Sequence, residues 1–440
     1  MEHAEAGSLM LTWVGFLSLI IFVVAYTTIA MEEKLHINKS KPALFAGTVI
    51  FLLVGIYHFT HGGVPHGLEE TIHHLIFEIA AIFFFLYVAM TYIEALIERN
   101  VFEKLKADLI NKGYDYKKLF WVTGLLAFFL SPVADNLTTA LILSTVLITI
   151  EHHNKKFLVL GAINIVVAAN AGGAWSPFGD ITTLMVWAAG KGAFQEFLFL
   201  FPASFFGWAF TAYLLARAVP EGSPGGEGNA AHCEDVQIKR GGKTIIWLGI
   251  STIVIAVLSH NMFHLPAFWG MMFGLSLLKL YSYNLKIKHN ENINVFGSIA
   301  KIENDTLLFF FGLLAAVGGL SYIGYLAAAA TIYESVNPTY VNIGIGLISA
   351  VVDNVPVMFA VLKANPELDN AQWMLVTLTA GIGGSLISFG SAAGVGVMGK
   401  LRGIYTFGSH MQYAWAVMAG YILSVAIWYV QFEILGFHIK

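Results

Sequence analysis

The chain has 440 residues, 57% of them hydrophobic and 12% charged, and its mean hydropathy is +0.71. Soluble domains carry about 25% charged residues, so this composition excludes a soluble globular protein and predicts an all-α polytopic membrane protein partnered by the lipid bilayer. No nucleic-acid partner is expected, a formal net charge of −4 says little about partners in a chain mostly in lipid, and the single cysteine, Cys233, cannot form an intrachain disulfide.

The first residues, MEHAEAGS, are acidic and lack a small-residue cleavage site, so the first apolar segment is expected to be a retained span. Runs long enough to cross a core of about 30 Å fall at 9–30, 43–60, 72–97, 156–190, 195–218, 244–260, 265–283, 305–330, 371–398 and 411–433, about ten transmembrane helices in all. Two further segments, 118–151 and 340–363, are interrupted by polar residues. The first reads SPVADNLTTALILS from Ser131, the second SAVVDNVPVMFAVL from Ser349. Ser131, Val133, Asp135 and Asn136 align without gaps on Ser349, Val351, Asp353 and Asn354. A carboxylate at membrane depth is costly unless it faces protein, water or an ion, so each Asp-Asn pair is a functional candidate.

The distribution of Lys and Arg chooses between a span and a re-entrant hairpin at these segments. With both as hairpins and the N-terminus outside, every one of the 24 basic residues except Lys191, Lys363 and Lys440 falls on the cytoplasmic side. Residues 119–130 as a helix reach about 18 Å, which puts the first tip near the midplane. One hairpin then enters from the cytoplasm and the other from outside, an inverted-topology repeat of the kind found in secondary transporters. Gly172-Gly173 with Phe178-Gly179 recurs as Gly383-Gly384 with Phe389-Gly390, predicting a broken helix at 156–190 and another at 371–398. The expected organisation is leading scaffold spans at 1–71, a first repeat at 72–218, a flexible cytoplasmic linker at 219–243, second leading spans at 244–304 and a second repeat at 305–440.

Asp135, Asn136, Thr138 and Ser131 offer carboxylate, amide and hydroxyl oxygens at one tip, and Asp353, Asn354 and Ser349 offer them at the other. The first break adds Ser176, Asp180 and Thr182, whereas the repeat has Ser391 where Asp180 stands. Such oxygens suit a small hard cation. Carboxylates gathered in low dielectric can hold either a proton or a cation, which is the simplest basis for antiport, so Asp135 and Asp353 are expected to alternate between proton and cation, with Asp180 as the third acid. The tips and breaks carry no Lys or Arg in the sequence, against a carboxylate or phosphate substrate. Half-helix capping remains the alternative role for the tips, and hydroxyl bonds to their own helix the alternative for Ser176 and Thr182. Glu78 and Asp305 open the segments before each hairpin and serve either a proton path or an interfacial salt bridge. His58, His61, His66, His73 and His74 cluster at the expected outer end of the second and third spans, as a pH sensor or an ordinary wet loop. The chain has no phosphate loop, zinc motif or nucleophile elbow, so no enzyme activity and no cofactor are expected. An intramembrane aspartyl hydrolase with Asp135 and Asp353 as its dyad stays formally open.

At SPVADNLTTALIL (131–143), NAGGAWSPFGDITTLMVW (170–187), AVVDNVPVMFAVL (350–362) and GIGGSLISFGS (381–391) the chain resembles the NhaD-type sodium/proton antiporters of the ion transporter superfamily. Relatives that carry dicarboxylates or citrate show Ser-Asn-Thr at both tips, where this chain has Asp-Asn-Leu and Asp-Asn-Val. The resemblance implies exchange of Na+ or Li+ for H+, activity rising at alkaline pH, a bacterial inner membrane and a homodimer. It places Asp135, Asn136, Thr138, Asp180, Thr182, Asp353 and Asn354 in or beside the ion path. A carrier of arsenite or a dicarboxylate on the same frame is the alternative substrate reading.

Overall fold

The computed structural model describes residues 9–31, 35, 37–63, 66–224, 236–291 and 304–437. Cys233, the middle of the linker, Lys34, Lys301, Lys440 and the side chain of His66 lie outside the described residues. All regular structure among those residues is helical. The helices are α1 (Trp13–Ala30), α2 (Ser40–Thr60), α3 (His66–Glu98), α4 (Val101–Asn111), α5 (Tyr116–Ala134), α6 (Asn136–Ile150), α7 (Lys155–Ala174), α8 (Ile181–Ala188), α9 (Phe194–Leu198) and α10 (Phe201–Ala216). The second half supplies α11 (Gly242–Phe263), α12 (Ala267–His289), α13 (Asn304–Ile323), α14 (Tyr325–Ser335), α15 (Pro338–Ser349), α16 (Asn354–Ala364), α17 (Asn370–Gly383), α18 (Ala392–Lys400), α19 (Phe407–Met411) and α20 (Ala414–Tyr429).

Seven described helices are long and apolar enough to cross a bilayer, or eight counting α13 with α14 as one bent span. The chain is therefore a multi-pass membrane protein. The run 305–330 does not continue as one straight helix. It bends by 74° between Ile323 and Tyr325, because Gly324 takes a φ of +110° that side chains with a Cβ rarely adopt.

Short polar residues start the half-helices, each accepting a backbone N–H that the first turn leaves unpaired. Asp115 accepts from Lys118 N at 2.7 Å, Asn154 from Phe157 N at 3.1 Å and Asp369 from Gln372 N at 2.7 Å. Asn337, followed by Pro338 at the first helical position, accepts from Thr339 N at 2.9 Å.

Helices α5 and α6 form a hairpin whose two far ends meet. The Tyr116 hydroxyl at the start of α5 donates to Glu151 Oε2, just past the end of α6, at 2.5 Å. Helix α5 runs alongside α7, from the Asn164 amide on the Phe120 carbonyl (2.7 Å) to the Ser131 hydroxyl on the Ala169 carbonyl (2.6 Å). In the second half Asn342 and Thr339 of α15 bond to Gln372 of α17, each at 2.8 Å. The Ser349 hydroxyl then reaches the Ala380 carbonyl at 2.7 Å, so α15 and α17 also run side by side. Helix α16 returns to the start of α17 through residues 365–369.

Helix α5 continues beyond residue 130, through Pro132 to Ala134. Pro132 has no N–H for the Phe128 carbonyl. Helix α7 approaches that carbonyl so closely that a Cβ on Gly172 would lie 2.3 Å from its oxygen. Every residue of α7 from Phe157 to Ala174 is buried. This apolar helix is thus the centre of the molecule, as expected for one hydrophobic on all sides. A smaller separate core joins Val14 and Ala25 of α1, Ala46, Ile50 and Val54 of α2, and Ala316 and Ile323 of α13.

Candidate ion-binding site

Helix α7 ends at Ala174, and Asp180 caps the start of α8 across a non-helical turn. The second break, between Gly383 and Ala392, lies against it, and Ser391 caps α18 there by accepting from Gly394 N at 3.2 Å. The tips of both hairpins reach the same place.

Asp180 is 3% exposed and sits where the two tips converge. Its Oδ2 accepts from Asn136 Nδ2 of the first tip at 2.7 Å and from Asn354 Nδ2 of the second at 2.9 Å. Its Oδ1 accepts from Thr182 N at 3.0 Å. The Asn136 amide also donates to Asn170 Oδ1 (3.0 Å), and Asn170 Nδ2 donates to the hydroxyls of Ser385 and Ser391, both at 2.8 Å. The hydroxyls of Thr182 and Ser388 are buried without a hydrogen-bond partner among the described residues. Groups of this kind retain lone pairs for an ion.

The structure thus brings together Asp180, Asn136, Asn354 and Thr182 from the set expected from sequence. The other two acids stand beside this cluster and cap their own helices. Asp135, at a φ of +59°, accepts from Thr138 N and from the Thr138 hydroxyl, both at 2.8 Å. Asp353 accepts from Val355 N at 3.1 Å. Ser131 and Ser349 hold their hairpins to α7 and α17 through the bonds described above. The Ser176 hydroxyl donates to the Pro132 carbonyl at 3.1 Å, joining the break to the first tip.

Glu78 and Asp305 lie elsewhere. Glu78 pairs with Lys363 at 2.5 Å and with His74 at 3.2 Å, tying α3 to the end of α16. Asp305 accepts from Asn38 (2.7 Å) and the Ser40 hydroxyl (3.1 Å), which fixes α13 against the start of α2.

Sequence reasoning missed Asn170 and Ser385. The signal for Asn170 was its polarity within an apolar helix. Asn164 gives the same signal, yet it only satisfies Phe120 O and Trp208 Nε1. Pattern alone does not separate the two.

Residues 5–381 match the family described as citrate transporter. The chain is 45% identical to the Na(+)/H(+) antiporter NhaD of Alkalimonas amylolytica, over 96% of this chain and 92% of the relative. It is 44% identical to the protein of the same name from Halomonas elongata, over 97% and 90%. The chain belongs to the NhaD family of antiporters. Sodium/proton antiporter 1 of Arabidopsis thaliana is a more distant relative, 30% identical over 94% of this chain and 73% of its own length. Membership places the chain among carriers rather than enzymes, against the aspartyl-hydrolase reading.

Proposed function

We propose that the protein exchanges Na+ or Li+ for H+ by competition for one buried carboxylate, Asp180, with Asp135 and Asp353 as flanking proton and cation carriers. The observation that carries this reading is the convergence of an amide from each hairpin on the same oxygen of Asp180. In the ionised form the carboxylate receives three N–H donors. When a cation arrives, rotation of Asn136 and Asn354 turns their carbonyl oxygens toward it, and the buried hydroxyl of Thr182, next to Asp180, stands ready in the same wall. A proton on Asp180 removes the charge that holds the cation, so loading one ligand expels the other. Thr138 and Ser176 line the approach from the first tip and Ser131 and Ser349 hold the tips in place.

The halves 72–218 and 305–440 act as inverted repeats, and alternating access comes from movement of the hairpin-bearing body against the leading spans, α1 and α2 before the first repeat and α11 and α12 before the second. The bias of Lys and Arg sets both termini outside the cytoplasm in a bacterial inner membrane. The working unit is a homodimer, and the exchange uses no cofactor. The relatives named as Na(+)/H(+) antiporters support the chemistry, and the tips, Asp-Asn rather than Ser-Asn-Thr, support a cation over an organic anion.

The test is exchange in liposomes with an internal pH dye and an imposed proton gradient. NaCl or LiCl dissipates the gradient in the wild type, KCl and choline chloride do not, and Asp180→Asn abolishes the response. If no cation moves protons between about pH 7 and 9.5, a range bracketing neutral to alkaline carboxylate competition, the antiport reading falls and an organic-anion panel comes next. An Asp180→Asn variant as active as wild type would remove the proposed site.

A further inference from the structure

Helix α3 borders two cavities. One, of about 480 Å³, is lined by Glu78, Leu184 and Met185 of α8, His260, and Phe359 and Lys363 of α16. The other, of about 410 Å³, lies between α3, α4 and α6. Glu78 and Glu94 of α3 line one cavity each, and their separation along the helix is about 24 Å at 1.5 Å per residue. In the first cavity Glu78 pairs with Lys363, and in the second Glu94 shares the lining with Lys106 and Lys400.

The second cavity is built from two helix faces. Met90, Ile93, Glu94 and Ile97 follow the helical repeat on α3, and Leu137, Thr138, Leu141, Ile142 and Thr145 follow it on α6. Lys400 contributes to the lining, as do Glu103 and Lys106, which pair at 3.2 Å. On the α6 wall is Thr138, whose hydroxyl donates to Asp135 Oδ2 at 2.8 Å. Glu94 therefore faces a polar-rimmed cleft that leads to the first hairpin tip, on the side of the molecule opposite the Glu78–Lys363 pair. An acid within a membrane helix that lines a cavity marks an ion pathway.

We infer that Glu94 is the relay carboxylate of the mouth formed by α3, α4 and α6, passing the cation and the proton between bulk water and Asp135–Thr138. This rests on the antiport reading, but its first test does not need transport. In a Cys233→Ser background, Glu94→Cys, Thr138→Cys and Thr145→Cys each react with a charged, membrane-impermeant thiol reagent, whereas Leu278→Cys, at a fully buried position, does not. If neither Glu94→Cys nor Thr138→Cys reacts from either face of the membrane, the cleft is not a water-filled route and the inference fails.

The second test is exchange in proteoliposomes. Glu94→Gln raises the apparent KM for Na+ about fivefold or more and shifts the pH profile, while the rate at saturating Na+ stays within twofold, and Glu94→Asp restores the wild-type profile. Asp108→Asn, which removes the surface pair with Lys104 at 2.9 Å on the same helix but outside the cavity lining, leaves KM unchanged. Equal KM and pH profile in Glu94→Gln and wild type overturn the relay role. A wild type without exchange but with a reactive cleft sinks the antiport reading and leaves the cleft standing as the route of another substrate.

Discussion

The Asn-Asp-Asn cluster divides labour among residues that look alike along the chain. Asp135, Asp180 and Asp353 all precede a helix, yet two of them spend their oxygens on their own first turns while Asp180 also receives an amide from each hairpin. Removing either amide should therefore matter more than removing a tip hydroxyl. Asn354→Ala deletes one charge-assisted hydrogen bond to a buried carboxylate, worth about 1.5–3 kcal/mol. We expect it to weaken Na+ activation of exchange by tenfold or more, measured as apparent KM. Ser349→Ala, which loses a neutral bond to Ala380 O, should cost about 1 kcal/mol of stability and leave KM within twofold. At the closed end of the first hairpin, Glu151 carries a different signal. Burial works to raise its pKa, but the Tyr116 hydroxyl and the N–H groups of His153 and Asn154 outweigh it and hold the carboxyl below its usual value of 4.5. A depressed folded-state pKa adds stability above the unfolded value, lost as pH falls through the folded one. The difference in unfolding temperature between wild type and Glu151→Gln should be constant near neutrality and shrink below about pH 4.5, as a thermal-shift series over pH would show.

Among elements, the breaks and tips work because backbones touch. A Cβ on Gly172 would lie 2.3 Å from Phe128 O, and one on Gly383 2.1 Å from Gly346 O. Both neighbours are backbone atoms and cannot swing aside, so the hairpin would have to leave its companion helix. Overpacking of this kind costs about 1–3 kcal/mol or more. Gly172→Ala and Gly383→Ala should each lower the unfolding temperature in detergent and cut exchange by at least tenfold. A Cβ on Gly381 meets only the Ala174 methyl at 3.5 Å, so Gly381→Ala should behave as wild type. An equal tolerance at all three positions would show that the close approach is not required.

Over the whole molecule, the Glu78–Lys363 pair is a direct ionic tie between α3 and the second hairpin. If the hairpin body moves against α3 during transport, this tie must open in each cycle. A short bifunctional thiol reagent joining Glu78→Cys to Lys363→Cys, with Cys233→Ser, should stop exchange, and a reductant that cleaves the link should restore it. Unimpaired exchange in the fully linked protein would argue against that motion.

Much of this architecture was legible in the residues. Hydropathy told the class of the protein, because a membrane core admits only long apolar helices. The sites where helices stop could be read from Asp135, Asp353, Gly172-Gly173 and Gly383-Gly384, since capping and helix propensity are local effects. The bend at Gly324 was not legible within an otherwise uniform apolar run, because one glycine is equally compatible with a straight helix and a broken one. Reading the repeats put Asp135 and Asp353 first and Asp180 third, whereas the amides of both hairpins meet on Asp180. Asp180 meets Asn136 across 44 positions and Asn354 across 174, and no periodicity carries information over such distances. Local chemistry alone thus determined where the polar residues interrupt the membrane helices. The tertiary structure decided which carboxylate they surround, because only packing of both hairpins around α7 brings their amides to one oxygen.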